Sequence, residues 1–297
     1  MGGLMPAVSV VMPVFNREGV VMRAVESVLA QSLAEFELIV VDDGSMDGTI
    51  ELLGKISDRR LRLVRQPRNQ GSNAARNVGL AASKAPLICF LDSDDEFMPG
   101  KLEAIAGFFH DHPEVELLLD SYAKVNPARP TPKACLNPSI DDSAQFLSAL
   151  VGARGKRLYK SVSGISLRRS ALERIGPFDE SLPCRQDLDF LLRAAGAVSC
   201  AATDRLLWIK HWSDDSITAD KGRFMPATLA LARRHSFLVD DPLLAGGFAH
   251  DIWQHTVELR RAGQIRPAAA NIVKLVGGLG LGASLWLAWR LVRRGRR

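Results

Sequence analysis

Leu87-Ile88-Cys89-Phe90-Leu91-Asp92-Ser93-Asp94-Asp95 is a run of five apolar residues followed by three carboxylates within four positions. A short, wholly apolar run is what a strand covered on both faces requires. An acidic loop straight after it suits the carboxyl edge of an open α/β sheet, where ligands bind. The same pattern recurs on either side of this stretch. Apolar, β-branched runs at 8–14, 36–41, 61–64 and 115–119 alternate with stretches of helical spacing at 17–32, 49–56, 73–83 and 100–110. Such alternation predicts a mostly parallel sheet flanked by helices, an α/β fold of Rossmann-like type.

Two other predicted strands also end in polar loops. The first runs into Pro13-Val14-Phe15-Asn16 and the second into Asp42-Asp43-Gly44-Ser45-Met46-Asp47-Gly48. One such loop is explained well enough by turn and helix-cap chemistry, because Asp, Ser and Gly are the usual residues there. Asp92, Asp94 and Asp95 ask for more, since three crowded carboxylates repel one another unless a cation compensates. A hard divalent ion, Mg²⁺ or Mn²⁺, is the expected partner, as both favour carboxylate and phosphate oxygens.

In this order these loops resemble the family 2 glycosyltransferases of GT-A fold. The resemblance covers roughly residues 8–215. It is carried by Val10-Val11-Met12-Pro13-Val14-Phe15-Asn16, Val41-Asp42-Asp43-Gly44-Ser45, Asn69-Gln70-Gly71 leading to Ala75-Arg76-Asn77-Val78-Gly79, and Phe90-Leu91-Asp92-Ser93-Asp94-Asp95. It implies an inverting transfer from a nucleotide-sugar donor, UDP-linked by preference, to a glycan or lipid-linked acceptor in cell-surface polysaccharide or glycolipid assembly. By the resemblance Pro13, Val14, Asn16 and Asp42 meet the nucleoside and Asp43 supports their loop. Asp92 and Asp94 serve the ribose and the metal, and Asp95 is a second ligand or an acceptor contact. Arg76 is either a donor to the nucleotide or the partner of an acid. The family's Glu-Asp pair, which follows a stretch like Ile175-Gly176-Pro177-Phe178-Asp179-Glu180, stands here as Gln186-Asp187. Asp187 is thereby the implied base, the plainer reading being an acid favoured at a helix start. His211 matches a position near the diphosphate or metal, or is an ordinary surface residue. Trp208 is expected in the core, and Trp212 is a candidate for stacking on a sugar.

The glycosyltransferase reading has two competitors. A nucleotide-sugar-binding protein without catalysis is suggested by Gln186. A sugar nucleotidylyltransferase would need a Gly-rich, basic loop after the first strand, which Val14-Phe15-Asn16-Arg17-Glu18-Gly19 does not supply. Other classes lose their support. Gly278-Leu279-Gly280-Leu281-Gly282-Ala283 fits a loose dinucleotide pattern with no room for a ribose-binding acid about 20 residues on. Residues 43–54 begin like an EF-hand loop but end in Gly54 where a bidentate Glu is needed. Neither a phosphate-binding GxxxxGK nor a nucleophile elbow GxSxG occurs.

The chain has 297 residues, 47% of them apolar, with 38 basic against 33 acidic residues. Residues 290–297 hold five arginines and no acid, and without them basic and acidic residues balance at 33 each. The net charge of +5 therefore belongs to the tail, and a nucleic-acid-binding body is not expected. Cys89, Cys135, Cys184 and Cys200 are widely spaced, which fits a reducing compartment without structural zinc. The beginning of the chain lacks signal-peptide features, so a cytoplasmic location is expected. Residues 1–219 are expected to form the nucleotide-sugar domain, interrupted by a proline-bearing excursion at 122–160, and 220–297 a helical extension. Within the extension, 275–289 is uncharged and too short to span a bilayer as a helix. With the arginines it is expected either to lie on an anionic membrane surface or to pack on the protein.

Overall fold

The computed structural model describes residues 5–212 and 223–261. In chain order the elements are β1 (Val8–Val14), α1 (Val21–Leu29), β2 (Phe36–Asp42), α2 (Thr49–Gly54), β3 (Leu61–Arg65), α3 (Ser72–Ala82), β4 (Leu87–Phe90), β5 (Glu96–Phe97), α4 (Lys101–Asp111), β6 (Leu117–Asn126), β7 (Arg129–Cys135), α5 (Ser143–Leu150), β8 (Ile165–Arg168), α6 (Arg169–Ile175), α7 (Gln186–Ala197), β9 (Cys200–His211), α8 (Phe224–Arg234), α9 (Phe237–Asp240) and α10 (Pro242–Arg261). Short 3₁₀ turns lie at Ala153–Gly155 and Val162–Gly164. Two compact units result. Among the described residues one is built from 5–146, 159–181 and 186–212, the other from 147–158, 182–185 and 223–261.

The first unit holds one nine-stranded sheet, ordered β3-β2-β1-β4-β8-β6-β9-β5 with β7 added to β6. The pairs β1–β2, β1–β4, β2–β3 and β6–β9 are parallel. Because β8 is antiparallel to both β4 and β6, β6 and β9 run the same way as β4. The carboxyl ends of β1, β2, β4, β6 and β9 therefore share one edge. Every residue of β1 and β4 is buried, which is why these segments read as apolar runs, broken only by Ser9 in β1. Pro13 is tolerated in this central strand for a geometric reason. The Val11 carbonyl accepts the Leu91 N–H, so Pro13, two residues on, turns its nitrogen the same way, past the last β1–β4 pair, Val11 with Phe90. Helix α3 packs closely on β1 and β2. A side chain on Gly79 would run into Val11 Cγ1, with Val41 Cγ2 3.3 Å away, so the glycine is required by the approach.

The structure corrects the sequence reading at several points. The excursion at 122–160 is not irregular throughout: β6 continues to Asn126 and forms a hairpin with β7, and α5 follows. After this excursion Val162–Gly164 form a 3₁₀ turn that leads directly into β8. Residues 205–210 form the second half of the 12-residue β9. Alternation failed to reveal β6 and β9 at full length because each changes from covered to partly exposed along its course.

In the second unit the Arg185 guanidinium lies 4.6 Å from the Phe224 ring and 5.6 Å from the Phe248 ring, and donates to Thr228 Oγ1 at 2.6 Å. One cation thus ties α8 to α10, and Phe224 stacks on His255 at 4.0 Å between the same helices. Between Phe224 and Arg261 the chain forms the helices α8, α9 and α10. The uncharged and arginine-rich stretches at 275–297 lie outside the described residues. Among the described residues no helix is long and apolar enough to cross a membrane.

Candidate functional site

The loops after β1 and β2 are locked to each other by the residues that sequence reasoning singled out. Asn16 adopts a left-handed conformation (φ 49°), which Asn tolerates better than most residues. Its backbone N–H donates to Ser45 Oγ at 2.9 Å, and its Oδ1 accepts the Met46 N–H at 2.9 Å. Asp42 is fully buried, and its carboxylate accepts the Ser45 N–H at 3.2 Å. Asp43 accepts from Gln66 Nε2 and from the N–H groups of Gln70 and Gly71, each at 2.8 Å. Burial raises the pKa of Asp43, the two N–H donors oppose this, and the charge of Asp42 adds to the rise. Asp43 is thus the post on which the loop after β3 is hung. Gly44 sits at φ 78° with the Arg68 backbone 2.8 Å from where a Cβ would stand, leaving no room for a side chain. Val14 is buried at the end of β1, and its carbonyl accepts the Asp43 N–H at 2.8 Å. Gly44, Ser45, Met46, Arg65, Gln66 and Pro67 surround an open depression on this side of the edge.

The acidic loop after β4 lies at the middle of the edge. Arg76, almost wholly buried in α3, donates to Asp92 Oδ1 at 2.6 Å and to Asn73 Oδ1 at 3.1 Å. Asp95 is 1% exposed and accepts from Ser163 Oγ at 2.6 Å, while the same Oγ accepts the Asp92 N–H at 3.1 Å. Burial pushes the Asp95 carboxyl up to about 8. Lys210 opposes that rise, and the charges of Asp92 and Asp94 add to it. Asp94 is raised as well, first by burial and then by Asp92. Its carbonyl accepts from Arg23 at 2.8 Å. Burial is thus the main cause of both shifts, and mutual repulsion among the acids adds to it.

Sequence reasoning missed two residues that complete this centre. Lys210, in β9, is driven down by burial and up by Asp95, Asp92, Asp94 and Asp187, and the acids prevail. Its one legible cue was a charge at the end of an apolar strand. Ser163 had no cue at all, because its role comes from the 3₁₀ turn that sets it behind the acids. Asp187 stands in the first turn of α7 and is half-buried, with an oxygen 2.7 Å from the Leu188 N–H. Its charge is one of four that raise the pKa of Lys210, after those of Asp95, Asp92 and Asp94. Asp189 points elsewhere and pairs with Arg193 at 3.0 Å. His211 shares a cleft with Asp94, and its Nε2 lies 3.0 Å from Glu96 Oε2. Trp208 is buried in the core and Trp212 is 51% exposed.

No group of three or more His, Cys, Asp or Glu side chains arranged to hold a metal is present among the described residues. Asp92 and Asp94 nonetheless suit a hard divalent ion, since Mg²⁺ is usually bound by one or two carboxylates together with substrate phosphates. The charge of Asp92 adds to the rise in Asp94, and a cation shared by the two carboxylates would relieve that repulsion.

The sequence model of glycosyl transferase family 2 matches residues 9–175. An uncharacterized glycosyltransferase of Haemophilus influenzae is 44% identical over 106 residues, covering 35% of this chain and 42% of that protein. The succinoglycan biosynthesis protein ExoO of Rhizobium meliloti is 42% identical over 97 residues, covering 33% and 28%. The Escherichia coli UDP-Glc:alpha-D-GlcNAc-diphosphoundecaprenol beta-1,3-glucosyltransferase WfgD is 40% identical over 96 residues, covering 32% and 38%. The matches thus span less than half the length of each of these relatives. The crystal structure of S. aureus TarS 1-349 in complex with UDP-GlcNAc is similar with a TM-score of 0.63 at 22% identity, covering 76% of this chain and 65% of that one. At that identity the likeness is one of fold.

Proposed function

The chain belongs to glycosyl transferase family 2, and from that membership we propose that it transfers a sugar from a UDP-linked donor to a hydroxyl of a glycan or lipid-linked acceptor, with inversion, in cell-surface polysaccharide assembly. The observation that carries this reading is the acidic loop of Asp92, Asp94 and Asp95, held by Arg76 and Ser163, on the edge that also holds the interlocked loops of Asn16 and Asp42. The similar proteins named for succinoglycan synthesis and for a UDP-Glc-dependent glucosyltransferase support the donor and the setting.

In this reading the nucleoside lies against Pro13, Val14, Asn16 and Asp42, with Asp43 keeping the loop rigid. Arg76 holds Asp92 in place and offsets part of its charge. Asp94 and Asp92 would hold Mg²⁺ or Mn²⁺, with His211 close by. Such an ion, when bound, neutralises charge that builds on the departing diphosphate. Asp95, buried and bonded to Ser163, fixes the loop. Asp187 takes the proton from the acceptor hydroxyl as that oxygen attacks the anomeric carbon and the nucleoside diphosphate leaves from the opposite face. Gln186 removes the second carboxylate of the pair and favours the alternative of donor binding without turnover.

The test pairs two variants with a UDP titration and with UDP release from a panel of UDP-sugars. Asp94→Ala is expected to abolish Mn²⁺-dependent UDP binding. Asp187→Asn is expected to keep UDP affinity within a few fold and to lower turnover by about 10² or more. Equal turnover in Asp187→Asn would remove it as the base. A wild-type protein that binds UDP-sugars but never releases UDP with any acceptor would establish the non-catalytic alternative.

A further inference from the structure

Phe178 links the acidic loop to α7. It is 2% exposed, and its ring stacks nearly parallel on that of Phe190 at 4.5 Å and meets that of Phe90 edge to face at 5.3 Å. Phe90 stands two residues before Asp92 in the chain, and Phe190 three residues after Asp187. Residues three apart on a helix share a face, so whatever holds Phe190 also holds the turn that carries Asp187. Arg76, bonded to Asp92, has its guanidinium 5.5 Å from the centre of the Phe178 ring.

Phe178 is in turn fixed by α3. Asn77 engages both polar groups of its backbone: Oδ1 accepts the Phe178 N–H and Nδ2 donates to the Phe178 carbonyl, each at 2.9 Å. Nδ2 also donates to Glu180 Oε1 at 2.8 Å, which uses both donors of the amide. One turn earlier, Asn73 Nδ2 donates to the Asp179 carbonyl at 2.7 Å. Asn73, Arg76 and Asn77 therefore share one face of α3, which grips the acidic loop through Arg76 and the chain ahead of α7 through the two amides.

We propose that Asn77 is a positioning residue for Asp187, an inference that rests on the reading of Asp187 as the base. The amide clamps Phe178, the ring stack carries that constraint to Phe190, and the first turn of α7 is thereby set relative to the helix that also holds Asp92. A general base has to stand within hydrogen-bond reach of the hydroxyl it deprotonates, and a small misplacement is costly in rate. Further along α7, Arg193 donates to the carbonyls of Ile175 and Gly176. The helix is thus pinned at two points, and the one nearer Asp187 is the stack on Phe178. The hydrogen bonds of Asn77 to residues 178–180 involve none of the side chains assigned to the donor, so its influence belongs to turnover and not to donor affinity.

The test is a double-mutant cycle on the full chain, read as UDP release from the UDP-sugar panel beside a UDP titration in Mn²⁺. Asn77→Ala is expected to lower kcat about tenfold, with donor KM and UDP affinity within about twofold of wild type. In the Asp187→Asn background the same change should alter kcat by less than about twofold, because nothing is left to position. A merely structural role would lower both backgrounds alike, and that result overturns the proposal. So does an Asn77→Ala kcat equal to wild type, which would mean that Arg193 alone orients α7. A loss of UDP affinity in step with kcat would assign Asn77 to the donor side and also overturns it. If Asn77→Ala does not fold, Phe178→Leu, which keeps apolar bulk and loses the flat ring, goes through the same cycle with the same expectations. Failure of the base reading is seen separately, as an Asp187→Asn variant that turns over like wild type or a wild type that releases no UDP, and the proposal falls with it.

Discussion

Ser163 holds two acids with one oxygen, donating to Asp95 and accepting from the Asp92 backbone. Its removal leaves a buried carboxylate and a buried N–H unpaired, each costing about 1–3 kcal/mol. Ser163→Ala should therefore lower stability by about that amount in urea unfolding. It should also weaken Mn²⁺-dependent UDP binding, because the loop that carries Asp92 and Asp94 loses its rear support. A variant as stable and as tight-binding as wild type would show that Arg76 and Arg23 hold the loop without Ser163. At this scale the sequence was readable where a side chain satisfies its own neighbourhood. Asn16 and Asp42 stand at strand ends in residue types suited to tight loops, and the structure finds them in such loops. It was unreadable where the partner is remote, as with Ser163, 68 residues from Asp95.

Among the elements, α4 and β6 are joined by a fully buried ion pair, with Lys101 Nζ 2.7 Å from Asp120 Oδ2 and 3.0 Å from the Ser163 carbonyl. The pair runs from the helix to the turn behind the acids. Burial pushes the Asp120 carboxyl up to about 6, against the pull of Lys101. A buried pair adds little net stability, yet breaking it strands a charge. Asp120→Asn alone should cost about 3–5 kcal/mol, whereas Lys101→Met with Asp120→Leu should come out near neutral or stabilising. The double variant separates stability from function, because it also releases the Ser163 carbonyl. Thermal unfolding beside UDP titration reads both. A double variant as unstable as Asp120→Asn would mean that the pair is stabilising in itself.

For the molecule as a whole, the raised carboxyls set a pH dependence of definite sign. Asp95 moves from 3.8 to about 8 and Asp120 from 3.8 to about 6 on folding, so the folded chain keeps protons that the unfolded chain releases. Their contribution to stability is full below about pH 4 and is lost as pH rises, through about 6 for Asp120 and about 8 for Asp95. In EDTA the melting temperature should fall between about pH 6 and about pH 8, and Asp95→Asn should flatten that fall. A wild-type curve that rises over this range would refute the assignment. The arginine-rich end supports a second prediction, from composition alone. Five arginines at about 1 kcal/mol each near an anionic surface give salt-sensitive attachment. Deleting residues 276–297 should release the protein from anionic liposomes while leaving UDP binding intact, and failure of the intact chain to sediment at low salt would remove the membrane reading.

The amino-acid sequence by itself determined the parallel half of the sheet. The segments β1, β2 and β4 are covered on both faces, and such burial writes nearly continuous apolar runs into the chain, while β3 at the sheet's edge is partly exposed and alternates. It also determined where the acids stand, because a loop after a strand is local. The tertiary structure decided everything that depends on which remote segments meet. Only the pairing of β8 and β9 with β4 and β6 brings Ser163, Lys210 and Trp212 to the edge where Asp92–Asp95 end. The physical reason is one of range. Burial and turn geometry act over a few residues and leave a local pattern, while the charge balance of the site is a sum over groups from β4, α7 and β9 that no local pattern records.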